Sequence, residues 1–494
     1  MSWTALIDHL PALPEAILLV GACALMIGDL YVKHAQRIAS FWAAQALLLL
    51  CLLATLFVDA NFDRRLVIFN GLFVVDHLAS LLKVASYLAV SAALVYSRQY
   101  LAERGLLRGE FITLLLFSLL GMMVLISAAS FLTVYLGLEL MSLSLYAMVA
   151  LNRDSTLSTE AAMKYFVLGA LSSGLLLYGM SMVYGATGTL DLAQVARLAA
   201  EPRDRDLLVF GLVFVVSGLA FKVGVVPFHM WIPDVYHGAT TPVTLVISSG
   251  PKLAAFAMAV RLLVDGLHPL AADWQQMLAL LAILSIALGN ITAIAQANLK
   301  RMLAYSAIAH MGFMLLGLLS GQIGGNWRSG AEAYGAALFY MVVYAIMTVG
   351  AFGILLYLSR AGVECENLED VRGLNRRNPW YAFLMLLMMF SLAGIPPTAG
   401  FYAKLVVFQA AVAAGHVWLA VAAVLLSLVG AFYYLRVVKL MYFDEPKAPV
   451  PAVAPMGVMG GVLSLNGLAL LWFGILPGGL LAMCVAAVAS LIPG

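Results

Sequence analysis

From residue 13 to residue 477 the chain alternates between apolar stretches of about 20 residues and short polar links, which leaves it few ways to fold. A stretch of that length is what an α-helix needs to cross the hydrocarbon layer of a bilayer. Lipid offers no hydrogen-bond partners, so each backbone N–H and C=O must be satisfied inside the segment, which favours helices. Of the 494 residues, 64% are hydrophobic and 11% are charged, against about 25% charged in a soluble domain. The expected fold class is an all-α polytopic membrane protein. About fourteen spans are predicted, near 13–32, 39–59, 71–96, 110–127, 131–151, 162–186, 207–231, 240–264, 275–297, 301–320, 331–359, 380–410, 416–440 and 457–477. Residues 478–494 read as a short apolar tail at the membrane interface. The N-terminus lacks a basic n-region and carries Asp8 and Glu15, so it reads as a first span rather than a cleaved signal peptide.

Against this background, charged residues inside the apolar stretches stand out: Lys83, Lys164, Lys222, Lys252, Lys404 and Glu139. A charge at the bilayer centre costs about 2.5–3.5 kcal/mol on insertion scales, so such residues mark proton relays or ion pathways. A buried lysine can give up its proton and a buried glutamate can take one.

The loop charges suggest an orientation. With the N-terminus outside, fifteen lysines and arginines fall in the inner loops, from Lys33 and Arg37 through Lys300, Arg301 and Arg360 to Lys447. Seven fall outside: Arg64, Arg65, Arg197, Arg203, Arg205, Arg261 and Arg328. That bias places both termini outside, with an even number of spans.

Two stretches look like copies of one device. GLAFKVGVVPFHMWIPD (218–234) and FSLAGIPPTAGFYAKLV (390–406) share a Gly-x-x-Pro element, with Gly224 before Pro227 and Gly394 before Pro397. Each comes after a long helix opening with Glu-Ala, at 160 and 332. The implied unit is five spans, and an odd unit inserts its second copy upside down, as in inverted-repeat transporters. The expected organisation is an N-terminal three-helix segment (1–109), a first repeat (110–265), a second, inverted repeat (266–440) and a C-terminal helix with its tail (441–494).

Proline removes a backbone donor and clashes with the preceding turn, so Pro227, Pro396 and Pro397 are expected to break the seventh and twelfth spans. A break at membrane depth lines a cavity or is buried in protein, and it frees carbonyls beside Lys222 and Lys404. Glu139 in the fifth span needs a partner, and Lys222 is the economical choice. A purely structural ion pair is the alternative. Lys252 comes directly after Pro251 in SSGPKLAAF and marks either a relay position or a distortion near midspan. His229 and His310 are candidate proton shuttles, with a satisfied core histidine as the ordinary reading. Lys300 and Arg301 read chiefly as inner-face anchors, with Lys300 a weaker relay candidate. Asp76 and Lys83, seven apart, share a helix face with His77 nearby, and a neutralising pair accounts for them. Lys164 lies four residues after Glu160, a plain i,i+4 pair.

The sequence has no GxGxxG after a strand, no GxxxxGK[ST], no HExxH and no Cys/His spacing for haem, iron–sulfur or zinc. Cys23, Cys51, Cys365 and Cys484 are far apart and read as packing residues. No basic stripe points to nucleic acid. The expected chain carries no cofactor, no metal and no redox centre, so its energy comes from another subunit or from an ion gradient.

Four stretches in order, AFKVGVVPFHMWIPDVYHGATTPVT, NLKRMLAYSAIAHMGFML, SLAGIPPTAGFYAKLVVF and FYYLRVVKLMYFDEP, resemble the antiporter-like membrane subunits of bacterial respiratory complex I, a NADH:quinone oxidoreductase. The resemblance covers nearly the whole chain. It implies fourteen spans, two inverted five-helix repeats with broken helices 7 and 12, and a proton-conducting role for Glu139, Lys222, Lys252 and Lys404. Lys404 in GFYAKL, where a sister subunit would carry glutamate, and the lack of a long lateral helix at the C-terminus favour one of three sister subunits. NADH, flavin mononucleotide, iron–sulfur clusters and quinone would belong to partner subunits, with other membrane-arm subunits as neighbours in a bacterial inner membrane. A multi-subunit cation/proton antiporter without redox coupling has the same motifs, and a scaffold whose charges fix helix register is the third reading.

Overall fold

The computed structural model describes residues 10–32, 37–62, 65–321, 327–359, 363–445, 457–489 and 491, with side chains from 330 onward in the 327–359 segment. Thirteen helices among them are long and apolar enough to cross a membrane. They include α1 (Leu13–Asp29), α2 (Ile38–Asn61), α3 (His77–Glu103), α4 (Gly109–Ile126), α5 (Phe131–Val149) and α6 (Thr156–Thr187). A short helix, α7 (Leu192–Leu198), lies in the link before the seventh span. That span is broken into α8 (Arg205–Val223) and α9 (Trp231–Gly238), and the eighth into α10 (Thr241–Ser248) and α11 (Gly250–Ala259), the latter continued by a π-helical stretch to Gly266. Then come α12 (Ala271–Ile294), α13 (Leu299–Leu319) and α14 (Trp327–Leu358). The twelfth span is shared by two 15-residue halves, α15 (Pro379–Ala393) and α16 (Ala399–Ala413). The chain continues as α17 (Val417–Tyr442), α18 (Gly457–Ile475) and α19 (Gly478–Ala489).

Local chemistry sets several helix starts. Asp76, Ser130, Asp204 and Asn298 each accept a hydrogen bond from a backbone N–H in the first turn of the helix they precede, satisfying donors the helix cannot. The helices then pair side by side: α4 with α5, α6 with α8, α12 with α13, and α14 with both halves of the twelfth span. Burial is uneven. The apolar window of the eighth span is 100% buried and that of α13 is 94% buried, whereas α1 and α18 reach only 28%. The central helices therefore carry the polar groups that lipid must not see.

Three expectations need correction. The third span does not begin at 71: residues Leu66–Ile68 and Phe73–Val75 form a two-stranded antiparallel hairpin, and α3 starts at His77. The turn between them, Phe69-Asn70-Gly71, has positive φ at all three residues. An Asn-Gly turn between β-branched residues is a hairpin signal that the run of hydrophobic residues concealed. The 478–494 tail is helical through Ala489 and packs along α14. Finally, Arg261 and Lys300 are not loop charges. Arg261 is fully buried and Lys300 is 1% exposed, and removing one from each side leaves the loop bias in the same direction. Lys33, Arg64, Arg360, Lys447 and the Arg328 side chain lie outside the described residues, as do parts of the expected 1–109 and 441–494 segments.

All four cysteines are free thiols. Cys365, in the 363–373 link, is buried, and burial pushes its thiol pKa up, so it stays protonated and packs as a small apolar group.

Candidate functional site

Both broken spans use the same local geometry. The first half-helix ends at a glycine in the left-handed region, Gly224 (φ 84°) and Gly394 (φ 84°), and a cis proline comes next at Val226–Pro227 and at Pro396–Pro397. Each ending leaves carbonyls without a helical partner, and each is met by a lysine. Lys252 Nζ donates to the Val223 carbonyl at 2.6 Å. Lys404 Nζ donates to the Leu392 and Ala393 carbonyls at 3.1 and 2.9 Å and to Ser427 Oγ at 2.9 Å. Glycine is required twice over. A Cβ at position 224 would stand 3.0 Å from Lys252 Nζ, and one at 394 would stand 2.9 Å from Lys404 Cδ. The amines thus sit at the negative ends of two half-helices, where a cation is favoured.

Lys222, in the last turn of α8, faces α5 and α6. Its Nζ lies 3.1 Å from Ser142 Oγ, 3.3 Å from Ser173 Oγ and 3.4 Å from Tyr146 Oη. The expected direct pair with Glu139 is not formed: among the described residues no carboxylate lies within 4.0 Å of Lys222. The reason is steric. Ser173 on α6 stands between them, donating to Glu139 Oε1 at 2.5 Å while its oxygen meets the lysine. Carboxylate and amine are joined by one hydroxyl, which can pass a proton by rotating. Glu139 itself is half-buried, toward the edge of the bundle.

Lys222 and Lys252 also line one small cavity of about 20 Å³, with Ser142, Tyr165, Trp231 and Pro251. That is room for a single water. The distortion expected near Lys252 is present, with the eighth span interrupted at Ser249 (φ −116°, ψ −90°), one turn before it.

His310 lies at the centre of the second group, on α13. Its Nδ1 is 2.6 Å from Tyr340 Oη and its Nε2 is 3.2 Å from Tyr434 Oη, and Tyr434 in turn contacts Ser306 Oγ. Phe313, whose ring centroid is 6.2 Å from that of His310, carries Lys404 Nζ over its ring at 5.0 Å. The structure therefore brings Glu139, Lys222 and Lys252 into one group and His310 and Lys404 into another.

The remaining candidates fall elsewhere. His229 is half-buried past the first break, and no hydrogen bond among the described residues joins its ring to either group. Lys300 donates to the Ala239 carbonyl at 2.7 Å and pairs with Glu366 at 2.8 Å. Asp76 and Lys83 do not neutralise each other. Asp76, capping α3, is held in a two-pronged pair by Arg261 at 2.7 and 2.8 Å, and Lys83 pairs with Glu15 at 2.6 Å. A helix cap points its carboxylate back along the first turn, away from the next two turns, so the sevenfold spacing misleads there. His77 lies 3.0 Å from Asp59. Lys164 does meet Glu160 at 2.8 Å, and also Asp234 at 2.7 Å. Among the described residues no group of three His, Cys, Asp or Glu could hold a metal ion.

Sequence reasoning missed the hydroxyls Ser173, Tyr146, Ser306, Tyr340, Tyr434 and Ser427. Helical spacing could have found some: Glu139, Ser142 and Tyr146 fall at i, i+3 and i+7, and Ser306 precedes His310 by four. Ser173 and Ser427 come from other helices and leave no such signal.

The family described as NADH:quinone oxidoreductase/Mrp antiporter, TM, matches residues 128–430, which includes both groups. The NADH-quinone oxidoreductase subunit N of Herminiimonas arsenicoxydans is 56% identical over 487 residues, 98% of this chain and 98% of that protein. Among solved structures, a chain of respiratory complex I from Thermus thermophilus, with bound aureothin, is similar at TM-score 0.80 and 33% identity, over 96% of this chain and 100% of that one. A chain of the Mrp complex from Dietzia sp. has TM-score 0.83 at 20% identity, over 98% and 97% of the two chains, and shares the fold.

Proposed function

Because this chain belongs to the NADH-quinone oxidoreductase subunit N family, within the wider NADH:quinone oxidoreductase/Mrp antiporter group, we propose that its buried lysines conduct the protons such a subunit translocates. It is a proton-translocating membrane subunit, and the redox chemistry that drives it takes place elsewhere. NADH, flavin mononucleotide, iron–sulfur clusters and quinone are carried by partner subunits, and the neighbours are other membrane-arm subunits. The membrane is the bacterial inner membrane, with both termini on the periplasmic side. The two broken spans belong to inverted repeats, 110–265 and 266–440, flanked by the 1–109 and 441–494 segments.

One observation carries the relay. Lys222, Lys252 and Lys404 are held by hydroxyls and freed carbonyls, with no carboxylate within 4.0 Å among the described residues. Such an amine can be charged or neutral without stranding a buried counter-charge. Quinone reduction elsewhere changes the field along the polar axis. Glu139, toward the bundle edge, receives that change and passes it through Ser173 to Lys222. Lys222 then exchanges its proton with Lys252 across their shared cavity, and His310 and Lys404 complete the path. Moving one charge against 100 mV takes about 2.3 kcal/mol, or a roughly fiftyfold change in a lysine's proton affinity.

In inverted membrane vesicles, Lys222→Ala is expected to abolish or sharply reduce quinone-coupled proton pumping per assembled complex. Pumping at the wild-type rate by an assembled variant would refute the assignment. The antiporter alternative is favoured less: its solved relative shares only the fold, whereas the subunit N likeness runs over 98% of the chain. Purification of this chain with NADH:quinone reductase activity separates the two.

A further inference from the structure

The two groups are each joined internally, yet among the described residues no hydrogen bond links the Lys222–Lys252 group to the His310–Lys404 group. Two tyrosines lie between them. Tyr236, on α9, has its ring centroid 6.5 Å from that of Trp231, the indole that stacks on Tyr165 beside the small cavity and underlies Lys252. Tyr344, on α14, stands one turn beyond Tyr340, with its ring 5.4 Å from that of His310. On its other side the Tyr236 ring lies 6.2 Å from that of Phe352, which stands two turns after Tyr344 on α14, and Tyr434 Oη reaches His310 Nε2 at 3.2 Å. The rings therefore follow in the order Tyr165, Trp231, Tyr236, then Tyr344 on α14, from the wall of the first group's cavity to the imidazole of the second.

Tyr236 and Tyr344 are each 0% exposed, and neither hydroxyl has a hydrogen-bond partner among the described residues. A buried hydroxyl left unsatisfied costs about 1–3 kcal/mol. Phenylalanine would fill nearly the same volume at both positions without that cost. A hydroxyl at such a place calls for a polar partner, and the smallest that fits between two phenols is water.

We propose that Tyr236 and Tyr344, bridged by ordered water, carry the proton between the lysine pair of the first broken span and the histidine of the second group. The inference rests on the lysine relay proposed for this chain. A proton arriving on the bridging water is passed to a phenol oxygen's lone pair as that phenol's own proton leaves on the far side. Each tyrosine is neutral before and after, and one proton has moved the length of the link. No oxidant or co-reactant is involved.

The test uses the intact complex in inverted membrane vesicles, with Tyr236→Phe, Tyr344→Phe, the double variant and Lys222→Ala in parallel. Proton pumping per assembled complex is measured with a pH-sensitive dye, and thermal stability of each complex is recorded. Because phenylalanine keeps the ring and nearly the same volume and loses only a hydrogen bond to water, the Phe variants are expected to assemble and to melt within a few degrees of wild type. Each single variant should pump several-fold more slowly, and the double variant no more slowly than the worse single, as for two steps in series. Wild-type pumping by both singles, or a double loss equal to the product of the single losses, would overturn the link. If Lys222→Ala stops pumping while the Phe variants do not change it, the relay stands and only the tyrosine link falls. If Lys222→Ala pumps normally, both fall.

Discussion

Two populations of buried charge share this bundle and are held in opposite ways. Outside the relay, Lys83 meets Glu15 at 2.6 Å, Arg261 forks onto Asp76 at 2.7 and 2.8 Å, and Lys300 meets Glu366 at 2.8 Å. Within the proposed one, Lys222, Lys252 and Lys404 meet, among the described residues, only neutral oxygens of serine, tyrosine and backbone. Both solutions satisfy a buried cation, but they differ in the consequence of losing the proton. Deprotonating Lys83 strands a carboxylate in the core, and Arg261 does not deprotonate at all. Deprotonating Lys404 strands no charge, only one neutral oxygen of the three it meets. On the proposed relay, charge is locked in the first population and movable in the second, and Lys300, paired with Glu366, belongs with the first.

The comparison breaks most visibly in stability. Lys83→Met leaves Glu15 buried without its counter-charge and should cost about 3–5 kcal/mol, seen as loss of assembled complex from membranes. The double variant Lys83→Met/Glu15→Leu should recover to wild-type stability or above. Lys404→Met, by contrast, leaves no unpaired charge and orphans only neutral acceptors, the Leu392 and Ala393 carbonyls and Ser427 Oγ, at about 1–3 kcal/mol, while pumping per assembled complex collapses. Equal destabilisation by Lys83→Met and Lys404→Met in thermal melts of the detergent-solubilised complex would erase the distinction. Ser173→Ala sharpens it further. It removes the hydroxyl between Glu139 and Lys222, and should slow pumping several-fold at unchanged assembly. The smallest effect is expected at Lys164, which is exposed between Glu160 and Asp234. Lys164→Ala should leave assembly and pumping near wild type, with any residual difference disappearing as salt is raised.

Much of this arrangement was legible in the sequence. Apolar length located the spans, and Pro227, Pro396 and Pro397 marked both breaks, because the physics of a helix in lipid acts within a single segment. Gly224 and Gly394 stood out only as a repeated Gly-x-x-Pro element, and their left-handed conformation at the helix ends is the structure's addition. Partnership across helices was not legible. The sequence suggested Glu139 against Lys222 and Asp76 against Lys83, whereas the fold inserts Ser173 in one case and supplies Arg261 and Glu15 in the other. Those partners lie far along the chain and carry no spacing signal. The Leu66–Val75 hairpin was hidden for a different reason: its valines and phenylalanines read as membrane-spanning until the turn at Asn70-Gly71 is weighed.

The central claim is that the lysines without carboxylate partners change protonation during turnover and the ion-paired ones do not. The most direct measurement is redox-triggered infrared difference spectroscopy of the intact complex with ¹⁵N-labelled lysine, comparing wild type with Lys222→Ala, Lys404→Met and Lys83→Met/Glu15→Leu. Isotope-sensitive amine bands should appear on NADH addition, diminish in the Lys222 and Lys404 variants, and persist unchanged in the Lys83/Glu15 variant. Bands that survive loss of Lys222 and Lys404, or that vanish with Lys83, would contradict the account.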